Sequence, residues 1–284
     1  MGKSLANADA PSGAWPQADV EDLDDGFVSH ETIAGDPACG FLLLCDHARN
    51  ALPARYGTLG LPHSELERHI GYDIGVEGVT RKIAARLGMP AVMTRFSRLL
   101  IDPNRGADDP TLVMRISDGA VVPGNRNADA AEIDYRKRRF YLPYDRAISE
   151  AIDAAIAAGK PPALFSIHSF TPVWRGVERP WHVGVLWDRD ARLPAPMIET
   201  LREDAGLVVG DNEPYTGELE GDTMNRHGTR RGLAHALIEV RQDLITDEAG
   251  IEEWANRLSA LLTRMAGVPG INEIRLPEQT GSWT

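Results

Sequence analysis

The chain has 284 residues, 43% of them hydrophobic, which is enough to bury one large core. Its 42 acidic against 30 basic residues give a net charge of −12, which argues against a general nucleic-acid binder but leaves room for a few arginines to hold a small anion. No apolar run approaches the roughly 18 residues of a membrane span, and Cys39 and Cys45 lie too close together for a disulfide framework, so a reducing cytoplasm is expected.

Residues 1–25 hold Pro, Gly, Ala and the acidic run Glu21–Asp25, without the basic and apolar regions of a signal peptide. They read as a mobile tail, and 26–284 reads as a single domain. Phe41–Cys45 is a continuous apolar run, as in a buried parallel strand, and it ends in Asp46, His47 and Asn50. A helix is expected to start with Ser64 as N-cap and Glu67 three residues later, and helical spacing continues through Ile70, Ile74, Val79, Ile83 and Leu87. Gly71 and Gly75 flank Asp73, so the helix is expected to break there, with Asp73 opening its second part. Ala91–Thr94 is the next strand. Leu99–Ile101 then leads into Asp102, Pro103, Asn104 and Arg105, and a loop over 106–133 is long enough to be a lid or a binding loop.

Residues 134–158 have helical spacing, with a kink or break at Pro143. Ala163–Ile167 is a third apolar strand, running into His168 and Ser169. Trp181–Trp187 alternates as a fourth, residues 196–205 are helical, and 207–209 are extended. Residues 211–231 are Gly-rich and polar. Ala236–Val240 is the last strand, with Glu239 inside it, and 251–265 form an amphipathic closing helix. Alternating strands and helices make this a single α/β domain with a mostly parallel or mixed central sheet.

Open α/β sheets bind ligands outside the carboxyl ends of their strands. Sorting polar residues by strand end yields His47, the segment Arg98–Arg105, His168 and Glu239. Two histidines and a carboxylate are the inventory of a catalytic zinc site with one position left for water, and a further carboxylate suits a general base. Serine chemistry is the competing reading, but no Gly-x-Ser-x-Gly elbow exists, and Ser166 and Ser169 flank His168 without a glycine. Cys45 reads as a small core residue. No Gly-rich dinucleotide or phosphate loop follows a strand.

Six motifs now stand in order: Cys45–Asn50, Gly71–Gly75, Phe96–Arg105, Ser166–Phe170, Gly221–Gly228 and Ile238–Gln242. Together they resemble the N-formylglutamate amidohydrolase family from about residue 38 to 265. The resemblance implies a three-layer domain of the zinc-carboxypeptidase-like (phosphorylase/hydrolase-like) type and hydrolysis of N-formyl-L-glutamate, or a similar N-acyl acidic amino acid, as in histidine degradation. It implies Zn2+ or another divalent metal on His47 and His168. The wider group places a glutamate three residues after the first histidine, where this chain has Asn50, so the third ligand moves to Asp73. Glu239 matches the catalytic glutamate. Asn104 and Arg105 resemble a pair that grips a substrate carboxylate, and Arg98, Arg226 and His227 are further substrate-binding candidates.

Plainer roles stand beside these. Asp73 would serve as a helix N-cap, Arg98 and Arg105 as surface residues, His227 as a solvated side chain, and Glu239 as the ion-pair partner of Arg241 on the same strand face. His30, His63, His69, His182 and His235 read as structural. Two further functional readings are a related zinc deacylase or carboxypeptidase with another substrate, and a metal- or ligand-binding protein without catalysis. No nucleic-acid or membrane partner is expected.

Overall fold

The computed structural model describes residues 26–276; the expected tail at 1–25 lies outside the described residues. The elements run β1 (His30–Ile33), β2 (Phe41–Cys45), α1 (His63–Leu66), α2 (Val76–Leu87) and β3 (Ala91–Thr94). A small hairpin, β4 (Ile116–Ser117) and β5 (Ala120–Val121), precedes α3 (Ala130–Arg136) and α4 (Leu142–Ala157). Then come β6 (Ala163–Phe170), the hairpin β7 (Val173–Trp174) and β8 (Val177–Glu178), and β9 (Val183–Leu186). The chain continues through α5 (Pro194–Arg202), β10 (Val209–Asp211), α6 (Thr223–His227), β11 (His235–Arg241) and α7 (Glu248–Met265).

Seven strands form one mixed sheet in the order β1-β3-β2-β6-β11-β9-β10. The central run β3, β2, β6 and β11 is parallel, while β1 and β9 pair antiparallel to their inner neighbours. Strand β2 explains why both faces are covered. Phe41, Leu43 and Cys45 pack among residues of α2, α5 and α7, while the alternate Leu42 and Leu44 pack against α4 and α6. The result is three layers, as expected. Cys45 is a fully buried core residue.

Several boundaries differ from the sequence reading. The helix expected from Ser64 is a single turn, α1, preceded by Pro62 with no side-chain cap, and Asp73 is not a helix cap. The cap of α2 is Gly75, at φ 83°, where a Cβ would lie 2.1 Å from the carbonyl oxygen of Ile245. The helical run is interrupted next to Pro143, as expected: a π turn over Lys137–Tyr141 separates α3 from α4, and Pro143 stands in the first turn of α4. Strand β6 runs on through His168 to Phe170, because β11 pairs with it as far as Arg241. The 106–133 segment is anchored rather than free: Leu112, Val113 and Val122 are buried, and Asn125 Nδ2 donates to the carbonyls of Leu99 and Met114. The Gly-rich 211–231 segment contains α6, capped by Asp222 accepting from the Asn225 N–H.

Candidate active site

Three parallel strands, β2, β6 and β11, bring their ends to one edge of the sheet. His47 lies two residues past β2, His168 is in β6, and Glu239 sits directly opposite His168 in the β11 register. The turn before α2 folds back here, with the Asp73 N–H donating to the His47 carbonyl at 3.0 Å. Asp73 Oδ2 thereby stands 3.3 Å from His47 Nδ1 and 2.9 Å from His168 Nδ1. The two imidazole rings meet edge to face, centroids 5.0 Å apart. One ligand atom from each of His47, Asp73 and His168 fits within 4.8 Å, and all three residues are buried.

The outer side of each ring is equally defined. His47 Nε2 is 2.7 Å from Asp102 Oδ1, and His168 Nε2 is 3.0 Å from Asp46 Oδ2. With each Nε2 protonated and donating to its carboxylate, both Nδ1 lone pairs point at the anionic oxygen of Asp73. Three donor atoms converging in a buried space could hold a metal ion, and carboxylate-backed histidines are the usual surroundings of one. The donor set fits zinc: two imidazole nitrogens and one carboxylate, with room for a further ligand.

Asp46, noted in the sequence only as a neighbour of His47, is fully buried and organises the layer beneath. It accepts from Ser166 Oγ at 2.9 Å, Tyr144 OH at 3.0 Å and Thr223 Oγ1 at 2.7 Å, besides His168. Ser166 is therefore a buried support and not a nucleophile. Burial opposes the charge on Asp46 and Asp102, yet the neighbouring histidines, with Arg98 beside Asp102, hold both well below the usual carboxylate range. Burial likewise disfavours a charged His168, but hydrogen bonds to Asp46 and Asp73 outweigh it and raise its pKa well above the ordinary imidazole value.

Glu239 differs from the other carboxylates. It is buried, and its Oε2 has no hydrogen-bond partner. Burial pushes its pKa up to about 7, with His168 pulling the other way and Asp73 adding to the rise. The alternative pairing with Arg241 does not form, because that guanidinium turns to Asp243 at 2.8 Å.

Glu239, His47, Asp73 and His168 open into one cavity of about 570 Å³. Arg98, Asn104 and Arg105 also line it. Arg98 bridges Asp73 Oδ1 at 3.3 Å and Asp102 Oδ2 at 3.1 Å, and Arg105 Nε is 3.8 Å from Asp102. Asn104 Oδ1 accepts from the Thr223 N–H at 3.1 Å, tying this loop to α6. Arg226 and His227 stand elsewhere, which corrects the expectation that they face substrate. Arg226 donates to Asp145 at 2.9 Å and to the carbonyls of Arg105 and Pro103, while His227 Nε2 is 2.7 Å from Asp145. A short polar helix needs such bracing, and it consumes both side chains. Asn50 also points away, donating to the Leu66 carbonyl and Glu67.

The cavity contains residues that the sequence reading passed over. His69 and His235, expected to be structural, both line it, as do Trp174 and Tyr215. His69 Nε2 is 3.3 Å from Asp118 Oδ2, on the tip joining β4 and β5. For Asp46 and Asp102 a signal existed, since each is an acid at a strand-end segment close to a candidate ligand or arginine. For Trp174 and Tyr215 there was none, because only the folded hairpin and loop carry them to the mouth.

The N-formylglutamate amidohydrolase family model matches residues 39–246. The chain is similar to a crystal structure of a gene product from Agrobacterium tumefaciens, with 35% identity over 84% of this chain and 94% of that one, at a TM-score of 0.78. It also shares its fold with an N-formylglutamate amidohydrolase from Ralstonia eutropha, at 22% identity over 84% of this chain and 98% of that one, with a TM-score of 0.67. Among curated proteins, none matches the chain. The sheet, the motif order and the matched span agree: the chain belongs to the N-formylglutamate amidohydrolase family and is an amidohydrolase.

Proposed function

We propose that the protein is a zinc-dependent amidohydrolase that cleaves N-formyl-L-glutamate, or a similar N-acyl acidic amino acid, to the free carboxylic acid and the amino acid. The observation that carries this reading is a buried His47–Asp73–His168 cluster sharing one cavity with a partnerless Glu239 oxygen. When bound, zinc polarises the scissile carbonyl and makes water a better nucleophile near neutral pH.

Glu239 takes a proton from the attacking water on Oε2 and delivers it to the leaving nitrogen as the C–N bond breaks. A pKa near 7 suits both halves of that exchange, and a neighbouring cation favours the ionised form needed first. Arg105 and Arg98, with Asn104, hold the carboxylate of the amino acid. A guanidinium has five donors, so the ion pairs that fix Arg98 leave N–H groups for a ligand. The two free cysteines accord with a reducing cytoplasm as the setting, and the family resemblance with a step in histidine breakdown.

The test is metal analysis of the purified protein followed by formate release from N-formylglutamate. One divalent ion per chain and turnover that a chelator abolishes are expected. A metal-loaded protein that hydrolyses no N-acyl acidic amino acid would make it a binding protein without catalysis.

A further inference from the structure

Resting on the amidohydrolase reading above, we infer that the Tyr215 hydroxyl, held by the guanidinium of Arg179, receives the side-chain carboxylate of the N-acyl acidic amino acid. Behind this stands a buried cation with no acid beside it. Arg179 is only 9% exposed, and no carboxylate among the described residues pairs with it. Its Nη1 donates to the Thr171 carbonyl at 3.4 Å, Thr171 Oγ1 at 3.2 Å and the Tyr215 hydroxyl oxygen at 3.0 Å. The rings of Phe170, Trp174 and Tyr215 surround the guanidinium, their centroids 5.8, 5.3 and 4.9 Å from its carbon. Neutral oxygens and aromatic faces offset only part of the cost of taking a charge out of water, so an anionic ligand completes the set.

The fold puts this group on the wall of the active site. Thr171 directly follows β6, three residues past His168, and Arg179 directly follows the β7–β8 hairpin. The Arg179 N–H closes the base of that hairpin by donating to the Pro172 carbonyl at 2.8 Å. Phe170, Thr171, Trp174 and Tyr215 line the same cavity as Glu239 and the His47–Asp73–His168 cluster, and Arg179 backs them. The Tyr215 oxygen already accepts from Arg179, which leaves its own proton for a ligand. Burial, with the nearby charge of Glu239, pushes the Tyr215 pKa up even against the pull of Arg179, so that proton is held at neutral pH.

The rest of the wall decides which group binds here. An N-acylglutamate brings two carboxylates. Arg98, Asn104 and Arg105 come from one short segment and serve the α-carboxylate. The part lined by Asp188, Asp222, Asn225, Thr229 and His235 holds no arginine or lysine, and its two acids repel an anion. His69 is already opposed by Asp118 at 3.3 Å. The second carboxylate therefore falls to Tyr215 and the charge of Arg179.

The test compares N-formyl-L-glutamate with N-formyl-L-glutamine on the zinc-loaded full chain. Both carry the same α-carboxylate and differ in the charge of the side chain. We expect kcat/KM to favour glutamate about tenfold to a hundredfold, the equivalent of one charge-assisted hydrogen bond. Tyr215→Phe keeps the ring over the guanidinium and removes only the hydroxyl. It should lower that preference about tenfold, through a higher KM for N-formylglutamate. Arg179→Met should do likewise, with Arg179→Lys recovering part of the preference. A preference retained in either Tyr215→Phe or Arg179→Met, or a wild type indifferent to the side-chain charge, overturns the assignment and leaves the amidohydrolase reading intact. An equal loss on both substrates in Tyr215→Phe also overturns it, placing the hydroxyl at the reacting carbonyl instead. If neither compound is hydrolysed, the functional reading fails, and calorimetric titration of the zinc-loaded protein still decides the site: N-formylglutamate binding no tighter than N-formylglutamine overturns it.

Discussion

Asp46 Oδ2 lies 3.0 Å from His168 Nε2, on the far side of the imidazole from Asp73. Asp102 stands in the same relation to His47 at 2.7 Å. Each candidate ligand thus has its own buried carboxylate, and an Nε2–H donated to that carboxylate would leave Nδ1 to coordinate a metal ion. Asp46→Asn or Asp102→Asn should weaken zinc binding by about tenfold to a hundredfold, the usual cost of losing such a partner. Competition with a chromophoric chelator measures it, and unchanged affinity in both variants would dismiss the backing role.

Asp73 and Asn50 are separated by a second test. Asp73→Ala should yield protein with little bound metal, whereas Asn50→Ala should keep it, since the Asn50 amide is engaged with Leu66 and Glu67. Metal content by mass spectrometry reads the difference. The reverse pattern would return the third ligand to Asn50.

Glu239→Gln preserves shape while removing the base. Turnover should fall by about a hundredfold to ten-thousandfold, the range for loss of general acid–base catalysis, with metal content unchanged. Loss of metal instead would make Glu239 a ligand.

Arg105 touches protein carboxylate only at 3.8 Å and lines the cavity. Arg105→Ala should raise KM about tenfold to a hundredfold, corresponding to one charge-assisted hydrogen bond of roughly 1.5–3 kcal/mol. Kinetics with an N-acyl amino amide, which lacks the α-carboxylate, should show a smaller effect if Arg105 grips that group.

Asp145 anchors α6 through His227 and Arg226. Burial opposes its charge, but those partners lower its pKa from 3.8 to about 2. The folded value is depressed, so the stabilisation is fully present above pH 3.8 and disappears as pH falls through 2. Asp145→Asn should therefore cost about 2 kcal/mol at neutral pH, at 1.36 kcal/mol per pH unit. Urea denaturation at pH 7 and pH 3 checks it: the difference from wild type should shrink at the lower pH.

The sequence by itself determined the α/β fold and which polar residues gather at one edge of the sheet. Apolar runs such as Phe41–Cys45 have no stable place except between two helical layers, and polar residues ending such runs must gather at one sheet edge. That logic reached His47, His168 and Glu239. Tertiary structure alone decided what surrounds them. Asp73 leaves the helix-cap role because Gly75 takes it, and Arg226 turns from substrate to Asp145 because a short polar helix must be braced. Asp46 becomes the buried support of His168 through partners 98, 120 and 177 residues away in the chain. Hydrogen bonding over such separations leaves no local pattern; it follows from strand order and register, which exist only once the sheet is assembled.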